Sequence, residues 1–212
     1  MKQNRILRFL TDYITENRRI FLISLLCLVA GVVIGSLSAF FLNKNDFDVL
    51  GLYLNNFASA HSIQSVNRSS VFTFSIYNNI KIILFMFVSG LRTELIPIGF
   101  LQLCTKGYKI GFTSVILVQL YFVKGVFIAF ASVLPQFILT IPALLFYNVF
   151  NVNFALFSRK LRQHGQKVSE RRDLLICNTV CLLSVFLIFA IVSLIDTFVI
   201  PTVIKPICSY LT

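Results

Sequence analysis

Apolar residues in this chain fall in long blocks broken by short polar stretches, which is neither the alternation of a half-buried strand nor the single stripe of a surface helix. The blocks cover residues 20–42, about 76–92, 95–120, 126–157 and 174–200. A helix crossing about 30 Å of hydrocarbon needs about 20 mostly apolar residues. The pattern therefore predicts an all-α fold: a polytopic membrane helix bundle of five transmembrane helices, forming a single integral membrane domain over 1–212.

Two stretches allow a second reading. The first block follows basic residues, and Ser36-Leu37-Ser38 resembles a signal-peptide cleavage site, but its apolar run exceeds the usual 7–15 residues. An uncleaved span is the reading adopted. Between 76 and 125, one frame turns at Arg92-Thr93-Glu94, and the other runs one helix over 80–104 and restarts at Ile110. The second frame leaves only 14 residues before Lys124, about 21 Å of helix, which is short for a crossing. The first is adopted.

Residues 43–75 form a polar outer segment. Within it Phe47, Leu50, Leu54, Phe57 and Ala58 recur at helical spacing. A short helix at the membrane interface, a helix packed on the bundle and a partner-docking helix all fit that spacing.

Composition narrows the class. Hydrophobic residues make up 57% and charged residues 13%, against roughly 25% charged in a soluble domain. Too few polar side chains remain to coat a globule, and disordered, collagen-like and disulfide-scaffold classes are excluded as well.

The net charge of +11 raises nucleic acid as a partner, and the positions of the bases argue against it. Lys2, Arg5, Arg8, Arg18 and Arg19 precede the first block, and Arg159, Lys160, Arg162, Lys167, Arg171 and Arg172 lie between the last two. Such clustering is the positive-inside pattern, with no aromatic-interleaved basic face. It predicts a cytoplasmic amino-terminal tail (1–19), a basic cytoplasmic loop (158–173), an even number of crossings between them and an extracytoplasmic carboxyl terminus.

The inventory for chemistry is thin. His61 and His164 fall on opposite predicted sides, the eight acidic residues are scattered, and there is no Walker lysine motif or Gly-x-Gly-x-x-Gly. Cys27, Cys104, Cys177, Cys181 and Cys208 read as small apolar fillers, without further ligands to complete a metal site. No enzyme activity, catalytic residue, cofactor or metal is expected.

Function would show most readily at ionisable groups inside the membrane, here Lys106, Lys109 and Asp196. Lys106 and Lys109 share a helix face beside Gly107 and Gly111, a surface able to admit a neighbouring backbone or an anionic group; simple placement at an interface explains them equally well. Gly31 and Gly35 form a second Gly-x-x-x-Gly. Such pairs permit close helix contact, within one chain or between copies in a homo-oligomer. Pro135 and Pro142 should kink the fourth helix, and Gln136 stands beside the first kink.

Two motifs carry a family resemblance. Lys106-Gly107-Tyr108-Lys109-Ile110-Gly111-Phe112 and Ser132-Val133-Leu134-Pro135-Gln136, in an order that includes Asn78-Asn79-Ile80-Lys81 and the basic loop, resemble the stage II sporulation protein M family of endospore-forming bacteria over roughly residues 5–205. The charged Arg92-Thr93-Glu94 turn departs from the more apolar connection expected there. The resemblance implies a multi-pass cell-membrane scaffold of the mother-cell septal and engulfing membrane. It would be required for forespore engulfment and would recruit two peptidoglycan-degrading partners, the stage II sporulation proteins D and P. The family supplies no catalytic residues to carry over. The alternative class is a small transporter or permease-like subunit using the Lys106/Lys109 face.

Overall fold

The structure is a computed structural model that describes residues 15–63, 68–163, 176, 178–195 and 197. The described residues are all helical or in short connections. In chain order they form α1 (Arg18–Phe40), α2 (Lys44–Ile63), α3 (Arg68–Leu91), a 3-10 turn (Thr93–Leu95), α4 (Ile96–Pro135), a π-helical turn (Gln136–Thr140), α5 (Ile141–Gln163) and α6 (Asn178–Ile195). The far amino terminus, most of the basic loop, and His164, Cys177, Asp196 and Cys208 lie outside the described residues.

Three helical stretches are long and apolar enough to cross a membrane: Arg18–Phe40, Ile138–Lys160 and Asn178–Ile195, with mean hydropathies of 2.8, 1.5 and 2.5. Of the other two expected spans, the apolar part of α3 is shorter, Ser75–Leu91, and α4 carries Lys106, Lys109 and Lys124.

α1 shows what kind of solvent the fold requires. Its buried positions are Ser24, Leu28, Gly31, Gly35 and Ala39. Leu22, Ile23, Leu26, Val29, Val33, Ile34 and Leu37 are all exposed. A helix that turns small residues inward and large apolar ones outward is stable where the surroundings are themselves apolar.

Contacts between helices fix their directions. Gly31 lies against Cys104, and Gly35, one turn on, lies against Tyr108, one turn on in α4. α1 and α4 therefore run parallel. Asn148 bonds Ser24, while Asn153, further along α5, bonds Asn17 at the foot of α1, so α5 runs opposite to α1. Ser193, late in α6, accepts hydrogen bonds from Ser75 and Asn79 near the start of α3, at 3.1 and 2.9 Å; these two helices are also antiparallel.

The reversals have local causes. Arg92 is extended (φ −143°, ψ 147°), and the 3-10 turn after it folds α4 back along α3. α4 is bent at Phe122, the one non-glycine with positive φ among the described residues (φ 47°, ψ −126°). Three residues later Gly125 packs on the backbone of Leu117 and Val118; a Cβ there would lie 2.7 Å from the Leu117 carbonyl carbon. The π turn sits between Pro135 and Pro142, where each proline removes a backbone donor.

The apolar core, including Leu28, Ile83, Met86, Leu103, Leu144, Leu145 and Phe189, gathers around α5. That helix is the most enclosed of the three apolar stretches. α2 touches α4 just before the bend at Phe122, where Gly51 faces the Leu120 side chain. The contact is local, and Val49, Leu52 and Tyr53 of α2 are exposed.

Candidate functional site

The most extensive helix contact is α1 on α4, and the two Gly-x-x-x-Gly motifs build it from both sides. The Cα of Gly31 faces the carbonyl oxygen of Cys104 and that of Gly35 faces the carbonyl of Tyr108. In return, Gly107 faces the carbonyl of Leu28 and Gly111 that of Val32. A Cβ at Gly35 would lie 2.9 Å from the Tyr108 Cα, and one at Gly111 would lie 2.9 Å from Ser36 Oγ. All four positions therefore exclude a side chain. The approach brings backbone dipoles together through weak Cα–H···O contacts and extended dispersion. Within the chain the two motifs face each other.

Lys106 and Lys109 flank this seam. The gap their neighbouring glycines leave is filled by the backbone of α1. Lys109 is exposed and Lys106 half-buried, with Lys106 engaged in a contact of its own. Pro135 and Gln136 mark the junction between α4 and the π turn.

Sequence reasoning passed over a polar layer on α5. Asn148 and Asn151 are buried at 0% and 1% exposure, one turn apart in an apolar helix. Asn148 Nδ2 donates to Ser24 Oγ at 3.0 Å, and Ser24 donates onward to the Ile20 carbonyl at 2.8 Å. Asn151 Nδ2 donates to the Met86 carbonyl at 3.0 Å, which also accepts from Ser89 Oγ at 2.6 Å. Their amide oxygens lie over glycines that flank the 3-10 turn. A Cβ at Gly90 would stand 2.7 Å from Asn151 Oδ1, and one at Gly99 would collide with Asn148 Oδ1 and approach Ser89 Oγ to 3.0 Å. α5 thereby clamps the α3–α4 hairpin on both sides of its turn. The available signal was Tyr147-Asn148-Val149-Phe150-Asn151-Val152-Asn153: amides at three-residue spacing inside an apolar run are costly unless bonded.

One end of the bundle is charged. Asn153 Nδ2 donates to Asn17 Oδ1 at 2.8 Å, which brings the start of α1 and the end of α5 together. Arg18, Arg19, Arg92, Arg159 and Lys160 are exposed. The Glu94 carboxyl is held below the usual carboxylate range, chiefly by its own backbone N–H, with further help from the Thr93 hydroxyl and from Arg92 and Arg159. Among the described residues no group of three or more His, Cys, Asp or Glu is placed to hold a metal ion.

The fold is thus an all-helical bundle of the membrane class, seamed by glycines and clamped by asparagines. The family described as Stage II sporulation protein M matches residues 24–201, and the chain belongs to that family. The match spans the glycine seam, the asparagine layer and all the described helices except α1's first turns. It supports a role in sporulation. Comparison with curated proteins and with solved structures gives no match.

Proposed function

We propose that the chain is a non-enzymatic membrane scaffold, crossing the bilayer five times, that gathers peptidoglycan-degrading enzymes at the sporulation septum during forespore engulfment. The supporting observation is α1: its glycines meet α4 backbone on backbone, and its bulky apolar side chains face outward. Such a helix holds position in lipid and offers no reacting group. Alternating helix directions support the five crossings, because α1, α4 and α6 run one way and α3 and α5 the other.

In this reading the end carrying Arg18, Arg92, Arg159 and Lys160 is cytoplasmic, in accord with the positive-inside rule. α2 then lies on the extracytoplasmic side, where wall hydrolases work. The partners are the stage II sporulation proteins D and P, and the site of action is the mother-cell septal and engulfing membrane. A permease-like role is the weaker reading, because α1 backbone occupies the space beside Gly107 and Gly111 that a polar path along Lys106 and Lys109 would need.

The test is a deletion strain complemented with a tagged chain. Deletion should arrest cells early in engulfment with septal wall retained, and the tagged chain should recover both hydrolases from sporulating membranes. Normal engulfment in the deletion strain, or an intact membrane-inserted bait that recovers neither hydrolase, would overturn the proposal.

A further inference from the structure

A cleft of about 330 Å³ lies where the end of α1, the start of α2 and α4 meet. Its apolar lining includes Ala39, Phe40 and Phe47, while Lys44 and Asp48 of α2 and Gln119 of α4 supply its polar groups. Lys44 and Asp48 stand one helical turn apart, the spacing at which opposite charges commonly pair, and both are exposed. Among the described residues neither forms an ion pair, and the Gln119 side chain makes no hydrogen bond. The cleft therefore gathers one cation, one anion and one amide, all unengaged, which is the complement of a zwitterion.

The outward face of α1 leads into this cleft. Leu26, Val29, Val33, Leu37 and Phe40 recur at three- and four-residue spacing and are all exposed. They form a continuous apolar stripe about 21 Å long, and its last member, Phe40, lines the cleft. Half of the hydrocarbon core is about 15 Å deep, so an acyl chain that starts at the cleft has apolar side chains beside it throughout its leaflet.

We propose that the cleft binds the headgroup of a zwitterionic phospholipid of the phosphatidylethanolamine class. Lys44 and the Gln119 amide meet the phosphate, Asp48 accepts from the ammonium, and the acyl chains run along the α1 stripe. An anionic headgroup would satisfy Lys44 and leave Asp48 facing a like charge, and a trimethylammonium headgroup has no N–H to give Asp48. A soluble zwitterion would make no use of the stripe.

This inference rests on the membrane placement proposed above, but not on the recruitment of hydrolases. The full chain is placed in nanodiscs containing equal parts phosphatidylethanolamine, phosphatidylcholine and phosphatidylglycerol, and lipid retained after transfer to detergent is read by native mass spectrometry. Phosphatidylethanolamine should be retained in preference to the other two. Asp48→Asn should cut its preference over phosphatidylglycerol by about two- to fivefold, the scale of an exposed ion pair, and Lys44→Gln should lower retention of both. Asp46→Asn removes the same charge from the same helix outside the cleft and should leave the preference intact. Both cleft charges are exposed, so their replacement leaves the packed core untouched. An inserted chain that retains the three lipids equally would overturn the site and leave the membrane placement standing. An equal effect of Asp46→Asn, or full displacement by millimolar glycerophosphoethanolamine, would also overturn it. So would a dimer that carries no preferred lipid and is lost in the cleft variants, which would assign the cleft to a second copy.

Discussion

The Cα of Gly35 in α1 lies against the carbonyl oxygen of Tyr108 in α4, and the contact recurs one turn earlier between Gly31 and Cys104. Two parallel helices that approach at the backbone leave no room for a side chain on either. Glycine at these positions therefore follows from geometry and not from a need for flexibility.

Replacing Gly35 or Gly107 with leucine should separate α1 from α4 and cost about 1–3 kcal/mol or more, the usual range for overpacking. Alanine at Gly35 should already be felt, because its Cβ meets backbone, which cannot rotate away. Thermal unfolding in detergent checks this. A Gly35→Leu protein that melts with the parent would contradict the seam.

The seam also shows how far the sequence can be read. Both glycine motifs are visible in it, and so is the turn at Arg92-Thr93-Glu94, because small residues and charges stand out against apolar blocks. What it could not show is that the motifs face each other, since a Gly-x-x-x-Gly says nothing about its partner. The asparagine layer was hidden for a related reason: Asn148 and Asn151 sit in a run that reads as one apolar helix, and their value depends on Ser24 and Met86, far away in sequence. The reversal at Phe122 carries no turn residue of its own. Lys124-Gly125 only hinted at it, whereas the kink expected of Pro135 and Pro142 in the following helix falls where the π turn Gln136–Thr140 sits.

Asn148→Ala should remove the bond to Ser24 and destabilise the protein by about 1 kcal/mol, near the range found for amide bonds between membrane helices. A double-mutant cycle with Ser24→Ala should show coupling between the two positions. Strictly additive effects would mean the 3.0 Å bond contributes nothing.

Phe122 occupies a backbone region suited to glycine, with its side chain exposed. Phe122→Gly should raise the melting temperature, releasing about 1 kcal/mol of backbone strain. Gly125→Ala, three residues on, should lower it, because the added Cβ meets the Leu117 carbonyl. A lower melting temperature for Phe122→Gly would contradict the reversal at this residue.

Glu94 sets one pH dependence. Its folded pKa lies below the ordinary glutamate value because its own backbone N–H, Thr93, Arg92 and Arg159 favour the carboxylate. A depressed value means that its contribution is present above the unfolded pKa and is lost as pH falls through the folded one. Carbon NMR of the labelled carboxyl should give a midpoint below that of glutamate in a free peptide, and Arg159→Gln should raise it. A midpoint at or above the peptide value would contradict the arrangement of the 92–95 corner.

A lipid-solvated bundle whose helices alternate in direction places both basic segments on the cytoplasmic side. The direct measurement is labelling of single-cysteine variants in intact cells with a membrane-impermeant maleimide. Cysteine at Lys44 should be labelled, and cysteine at Thr93 or Lys160 should react only after the membrane is opened. Labelling of the Thr93 or Lys160 variant from outside intact cells would contradict the account.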